Sequence, residues 1–149
     1  HQDITGNSCL HHAAHGGHEK VAEFLLRNGA EPNCMNVNHN TPLFVAIGGK
    51  HVDMVNVLLC NGADVMLRNQ AGNTALHWAS EVGAVDITKL LLNHGSSVNL
   101  KGKSNQTALH WACSSGNTKL IMLLIENGAE LNSKSQNGTT PLHWACSKG

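Results

Sequence analysis

A leucine recurs every 33 residues along the whole chain. The leucines that keep this interval are Leu10, Leu43, Leu76, Leu109 and Leu142. A glycine repeats with the same period, and its copies are Gly29, Gly62, Gly95 and Gly128. Self-similarity at periods of roughly 20 to 50 residues is the signature of repeat architectures. Two independent markers in one register therefore predict a chain built from copies of one structural unit.

Each unit has the pattern of two short helices followed by a turn-rich segment. In the third unit, Thr74 is a suitable N-cap for the first helix, since its hydroxyl is available to a free backbone N–H. Ile87, Leu90 and Leu91 have the spacing of an apolar helix face in the second helix. Gly83 separates the two helices, where glycine readily adopts the left-handed conformation that ends a helix. The polar segment between units is expected to form a short hairpin.

A single unit of this kind is too small to be stable. Helices of about ten residues are marginal alone in water, and one helix pair leaves an apolar side uncovered. Stacking the pairs side by side produces a continuous core in which each unit contacts only its neighbours. The predicted fold class is therefore an all-α repeat solenoid of helix-turn-helix pairs joined by short β-hairpins.

The phrases around the repeated leucines resemble those of the ankyrin repeat family, in which Thr-Pro-Leu-His-x-Ala recurs every unit of about 33 residues. The phrases are TPLFVA at 41–46, TALHWA at 74–79 and 107–112, and TPLHWA at 140–145. The resemblance covers practically the whole chain and implies one ankyrin repeat domain, residues 1–149. Repeats are expected at about 3–35, 36–68, 69–101 and 102–134, with a partial repeat at 135–149.

The resemblance implies a protein-protein interaction module. In the family, a concave face formed by the hairpin tips and the exposed ends of the first helices binds a partner protein. By register, the candidate partner-binding residues are Asn38, Asn40, Gln70, Ala71, Asn73, Glu81, Val82, Lys103, Ser104, Gln106, Ser114 and Ser115. Most of these side chains are polar and uncharged, so binding is expected to use shape and hydrogen bonds, with limited salt dependence.

The repeated residues are expected to be structural. The five leucines should form the core, and the resemblance implies that His77 and His110 hydrogen-bond backbone groups between adjacent units. Trp78, Trp111 and Trp144 recur with the same period as the leucines and are expected to fill the gaps between helix pairs. A stacking site for a base or another small ligand is the alternative interpretation of this tryptophan ladder.

Several positions depart from the repeated pattern. In the second unit, Phe44 replaces the histidine, and Lys50 replaces the glycine between the helices, which predicts a strained or reshaped turn. His39 and Asn105 replace turn glycines, and both residue types tolerate positive φ better than most. Met66 stands where other units have a hairpin asparagine. Those asparagines, Asn33, Asn99 and Asn132, resemble sites that asparaginyl hydroxylases modify in this family.

Composition excludes several classes of protein. Ten basic and ten acidic side chains give a net charge of zero, which argues against a nucleic-acid partner and against an electrostatic membrane anchor. No apolar run approaches the roughly 18 to 20 residues that span a bilayer. The five cysteines include no CxxC pair, which argues against a disulfide framework or a zinc ribbon. Reduced thiols favour a cytoplasmic or nuclear location.

No enzymatic or metal chemistry is predicted. His11 and His15 are four residues apart, which is metal-ligand spacing on a helix. However, the position of His11 recurs in three other units in which no second histidine follows. No nucleophile has an arguable base partner, and no glycine-rich phosphate loop is present. The expectation is no catalytic residue, no metal and no cofactor.

One further alternative concerns the rest of the protein. The sequence begins with His1, and its fifth repeat stops before a second helix. We therefore expect a fragment of a longer protein, monomeric by itself. The chain would then also suit the targeting or regulatory arm of a multidomain enzyme, such as a kinase, acyltransferase or nuclease, with its catalytic part outside residues 1–149.

Overall fold

The computed structural model describes residues 2–148, which leaves His1 and Gly149, the ends of the predicted domain, outside the described residues. Nine α-helices occur in this range: α1 Cys9–Gly16, α2 Glu19–Arg27, α3 Pro42–Gly48, α4 Val52–Cys60, α5 Ala75–Glu81, α6 Val85–Asn93, α7 Ala108–Ser115, α8 Thr118–Glu126 and α9 Pro141–Lys148. A single 3-10 turn covers Lys103–Asn105. The hairpins between helix pairs are turns, with isolated β-bridges joining Gln2 to Ser8 and Arg68 to Thr74.

The helices form two layers that follow the order of the chain. The first helices of the units, α1, α3, α5, α7 and α9, pack successively against one another. The second helices, α2, α4, α6 and α8, form a parallel series of contacts in the other layer. Each second helix also packs on the first helix of its own unit. The predicted all-helical repeat solenoid is confirmed.

The leucine register marks the core in four of the five units. Leu10, Leu43, Leu76 and Leu109 each retain 1% of their surface exposed. Leu142, which we also expected to be structural, is 68% exposed. The physical reason is that α9 has no second helix packed on it within residues 2–148, whereas the helices that carry the other four leucines each pack against the second helix of their own unit.

Three residues in left-handed turns match the expectations from the sequence. His39 and Asn105 have φ values of 56° and 57° where other units have glycine. Lys50 has a φ of 56° and takes the place of Gly83, whose φ is 71°. The turn of the second unit therefore keeps the backbone shape of its neighbours, and a lysine bears the strain of a conformation that costs L-residues roughly 1–2 kcal/mol. Ser104, with a φ of 54°, adopts the same conformation without any signal in the repeat.

No helix within residues 2–148 combines the length and the apolar character that crossing a bilayer requires.

Candidate functional site

A side-chain oxygen at the start of each of the first three hairpins fixes the shape of the tip. Asn36 Oδ1 accepts the backbone N–H groups of Asn38 and Asn40, each at 3.0 Å. Asn69 repeats this pair of bonds at 3.1 Å each, and Asp3 repeats it at 2.8 and 2.9 Å. Such Asx turns hold the backbone without a regular strand ladder. We did not predict these residues, although the recurrence of Asp or Asn in the register of the repeat is a signal that could have found them.

Backbone hydrogen bonds also join successive tips. In three of these links a backbone N–H donates to a backbone carbonyl of the preceding tip. The donors and acceptors are Val37 N–H and Thr5 O at 3.1 Å, Gln70 N–H and Asn38 O at 3.1 Å, and Gln136 N–H and Ser104 O at 2.8 Å. The link between the third and fourth units is different, since Lys103 N donates to the side-chain oxygen of Asn73 at 2.8 Å. Gly102 takes the position of Asn69 in this unit, and a Cβ there would collide with Asn73 Oδ1. The tips therefore form one hydrogen-bonded row.

Most of the candidate partner-binding side chains are accessible. The exposed ones are Asn38, Gln70, Ala71, Glu81, Lys103, Ser104 and Ser115. Those that are half-buried are Asn40, Val82, Gln106 and Ser114. Asn73 differs from the expectation of an accessible contact, because it is 6% exposed and its side-chain oxygen is occupied by Lys103 N–H. The buried Asn73 side chain therefore stabilises the row of tips by its hydrogen bond to the next unit.

The first helices of the third, fourth and fifth units contribute the partly buried side chains of Trp78, Trp111 and Trp144. The Trp111 and Trp144 rings meet edge to face, with centroids 6.1 Å apart, and the His110 and Trp144 rings are 5.8 Å apart. Trp144 Nε1 donates to Thr139 Oγ1 at 3.0 Å. These contacts support a framework role for Trp111 and Trp144. Trp78 has a different environment, since it forms one wall of an open cavity together with Val45 and Gly48.

The repeated histidines connect adjacent units through their ring nitrogens. Thr74 N–H donates to His77 Nδ1 at 3.2 Å, so this nitrogen is an acceptor and the ring proton lies on Nε2. His77 Nε2 then donates to the carbonyl oxygens of Leu100 and Gln106, at 3.0 and 3.2 Å. His11 and His110 are held in the same way, with Nε2 at 2.9 Å from Asn40 O and 3.2 Å from Thr139 O respectively.

Burial changes the acidity of several groups in this region. It lowers the pKa of His11, His77 and His110 below the ordinary histidine value, with hydrogen bonds to backbone carbonyls acting in the opposite direction. Burial raises the pKa of the Glu81 carboxyl, and the positive charge of Lys103 partly opposes this change. Both ring nitrogens of His11 are engaged in hydrogen bonds, so the metal-like spacing of His11 and His15 provides no free His11 ligand. Within residues 2–148, no group of three or more His, Cys, Asp or Glu side chains is arranged to hold a metal ion.

The stacked helix pairs and the row of hairpin tips define a helical repeat solenoid with one continuous face of tips and first-helix ends. The family model for ankyrin repeats matches the chain in three overlapping copies, over residues 1–69, 66–135 and 97–149. The chain therefore belongs to the ankyrin repeat family, whose members are generally protein-protein interaction modules and typically have no catalytic activity. A comparison with curated proteins found no match.

Proposed function

We propose that the chain binds a partner protein through its concave face, defined here as the hairpin tips and the exposed ends of α3, α5 and α7. The observation that carries this proposal is the continuous row of tips. Asx turns and tip-to-tip hydrogen bonds hold the backbone, while side chains such as Asn38, Gln70 and Ser104 remain exposed. A rigid backbone that presents free polar side chains loses little conformational entropy on binding.

The charge distribution favours a protein partner over a nucleic acid. The chain has ten basic and ten acidic side chains, so it has no excess of positive charge to neutralise phosphates. Glu81 and Lys103 are the charged candidates on the concave face, and they carry opposite charges. Binding should therefore depend on shape and hydrogen bonding, and its affinity should change little with ionic strength.

The test uses peptides selected from a random library displayed on phage, with the wild-type chain as bait. The selected peptides are synthesised, and their Kd values are measured with three variants. Asn38→Arg and Gln70→Arg place a bulky charge on exposed tip side chains, whereas Asn56→Arg makes a matched change on the exposed side of α4. We expect the tip variants to weaken binding at least about tenfold, which is about 1.4 kcal/mol, and Asn56→Arg to have no effect. Equal affinities for all three variants would contradict the proposal.

A further inference from the structure

A cavity of about 350 Å³ opens on the concave face between the second and third units. Its apolar wall consists of Phe44, Val45 and the indole ring of Trp78, and its floor includes Gly48. Ligand-binding pockets usually range from about 300 to 1,000 Å³. This cavity lies at the small end of that range, which suits one bulky side chain better than a whole cofactor.

The cavity exists because the second unit lacks side chains where α3 ends. Gly48 and Gly49 lie at this point, and both are exposed. At the position of Gly48, the other units carry His15, Glu81, Ser114 and Ser147. A side chain at this position would extend toward the neighbouring unit, since a Cβ built on Gly48 lies 3.5 Å from Trp78 Nε1. The repeat therefore leaves room here that a partner can fill.

The rim of the cavity offers hydrogen-bonding groups. Asn69 Oδ1 already accepts the N–H groups of Ala71 and Asn73, so the remaining group of this amide is its NH2 donor. The backbone N–H of Asn40 donates to Asn36, and its carbonyl accepts from His11, which leaves the side-chain amide of Asn40 for a ligand. Amides of this kind suit the N–H and C=O groups of an extended peptide.

The lining of the cavity disfavours a cationic ligand. Among the lining residues, His15 is the one side chain able to carry a charge, and the remaining lining is apolar, amide or glycine. The lining contains no carboxylate, so a charged lysine side chain buried against Phe44, Val45 and Trp78 would lack a counter-ion, which is costly. A neutral apolar side chain would instead gain about 25 cal/mol for each Å² of apolar surface removed from water.

We infer that this cavity is a side-chain-binding pocket that takes one apolar side chain, of leucine to phenylalanine size, from an extended segment of the partner protein. The inference rests on the proposed function and adds to it the chemistry of the partner. The bound side chain packs on Val45 and Trp78, and the amides of Asn40 and Asn69 hydrogen-bond the partner backbone on either side of it.

Gly48→Leu is the variant that fills the pocket from within. Gly48 lies in α3 with ordinary helical φ, and the nearest obstacle to a Cβ is an ordinary contact with Trp78. The fold should therefore tolerate leucine here, and a thermal melt monitored by circular dichroism checks this. Asn56→Leu introduces the same side chain on the exposed side of α4, outside the concave face, and is the control.

The first measurement uses N-acetyl-phenylalaninamide and N-acetyl-lysinamide as probes, with the indole N–H resonance of Trp78 followed by NMR. We expect the phenylalanine probe, at millimolar concentration, to shift this resonance in wild type and in Asn56→Leu, but not in Gly48→Leu. The lysine probe should leave it unchanged. No shift with the phenylalanine probe, an equal shift in Gly48→Leu, or an equal shift with the lysine probe would overturn the inference.

The second measurement separates this inference from the proposed function. The library-selected peptides should each contain an apolar residue, and their Kd should rise at least about tenfold with Gly48→Leu but not with Asn56→Leu. Peptides that lose affinity with Asn38→Arg yet bind Gly48→Leu normally would overturn the pocket and leave the concave-face proposal standing. Peptides that are insensitive to both changes would overturn both.

Discussion

The side chain of Asn33 bonds to the backbone of Gly62 in the next unit, with Nδ2 donating to the carbonyl oxygen at 3.0 Å. Its Oδ1 accepts the N–H of Asp64 at 2.8 Å, so one amide joins two units through both of its ends. Asn99 makes the same two bonds to the unit that follows it, at 2.9 Å each. Met66 takes this position in the second unit, and its thioether has no N–H to donate. The link between the second and third units therefore lacks this clamp.

Restoring the clamp should stabilise the stack. Met66→Asn is expected to raise the free energy of unfolding by about 0.5–1.5 kcal/mol, the net value of one hydrogen bond, and Asn33→Ala should lower it by at least as much. Met66 is 42% exposed, so little burial is lost. Urea denaturation measures the change. Met35→Asn, at a hairpin methionine that is 37% exposed, is the control, and an equal effect of the two methionine changes would contradict the assignment.

Ser96 carries a hydroxyl that the fold does not use. Its Oγ is buried and has no hydrogen-bond partner, and the equivalent positions are occupied by Ala30, Ala63 and Ala129. Leaving a buried polar group unpaired costs about 1–3 kcal/mol. Ser96→Ala should therefore raise the free energy of unfolding by about 1 kcal/mol, measured by urea denaturation. The exposed Ser97 provides the control, since Ser97→Ala should have no effect, and destabilisation by Ser96→Ala would disprove the prediction.

The buried histidines should make the stability depend on pH. Burial lowers the folded-state pKa of His77 below its ordinary value of 6.5, and His11 and His110 are shifted in the same direction. The unfolded chain therefore binds more protons than the folded chain in the window below pH 6.5. Stability should be complete above this window and should decrease as the pH falls from 6.5 toward the folded pKa values, by at most about 1.4 kcal/mol per pH unit for each histidine.

Urea titrations between pH 8 and pH 5 test this prediction. Because glutamine keeps a hydrogen-bonding side chain at the third helical position, His77→Gln should fold and show a weaker loss of stability at low pH. The exposed Asn93 serves as the control residue, and Asn93→Gln, which changes no titratable group, should keep the wild-type dependence. A flat profile, or a profile that His77→Gln leaves unaltered, would show that His77 does not titrate as described.

Equivalent leucines should differ sharply in their energetic contribution. Leu76→Ala removes a side chain that is 1% exposed and should cost roughly 2–5 kcal/mol. Leu142→Ala changes a side chain that is 68% exposed and should cost less than about 1 kcal/mol. Guanidinium denaturation of the two variants measures the difference. Similar costs would mean that the burial assigned to the leucine register is incorrect.

The sequence predicts features that depend on a residue and its own unit. The register of the buried leucines and the left-handed conformations of His39 and Asn105 follow from residue type and position in the repeat, and the family resemblance implies the inter-unit bonding of His77. Most positions of this kind recur in each unit, so equivalent residues in several units support the same structural prediction. Nine helices in the described residues are the direct consequence of that pattern.

Features that depend on two different units were not predictable in this way. Asn73 is buried because Gly102, one unit later, has no side chain to occupy the same space. The cavity beside Gly48 exists because Trp78 of the next unit forms its opposite wall. Likewise, the repeat places Leu142 in the core register, but burial also requires a neighbouring helix that the described chain does not provide. Each case requires coordinates that relate one unit to its neighbour.

Hydrogen–deuterium exchange with a library-selected peptide tests most directly whether the concave face binds protein. The bound peptide should slow exchange in residues 36–41 and 69–74 and at the ends of α3 and α5, while α4 and α6 should exchange at unchanged rates. Slower exchange confined to α2, α4, α6 or α8, with the hairpin tips unaffected, would contradict binding at the concave face.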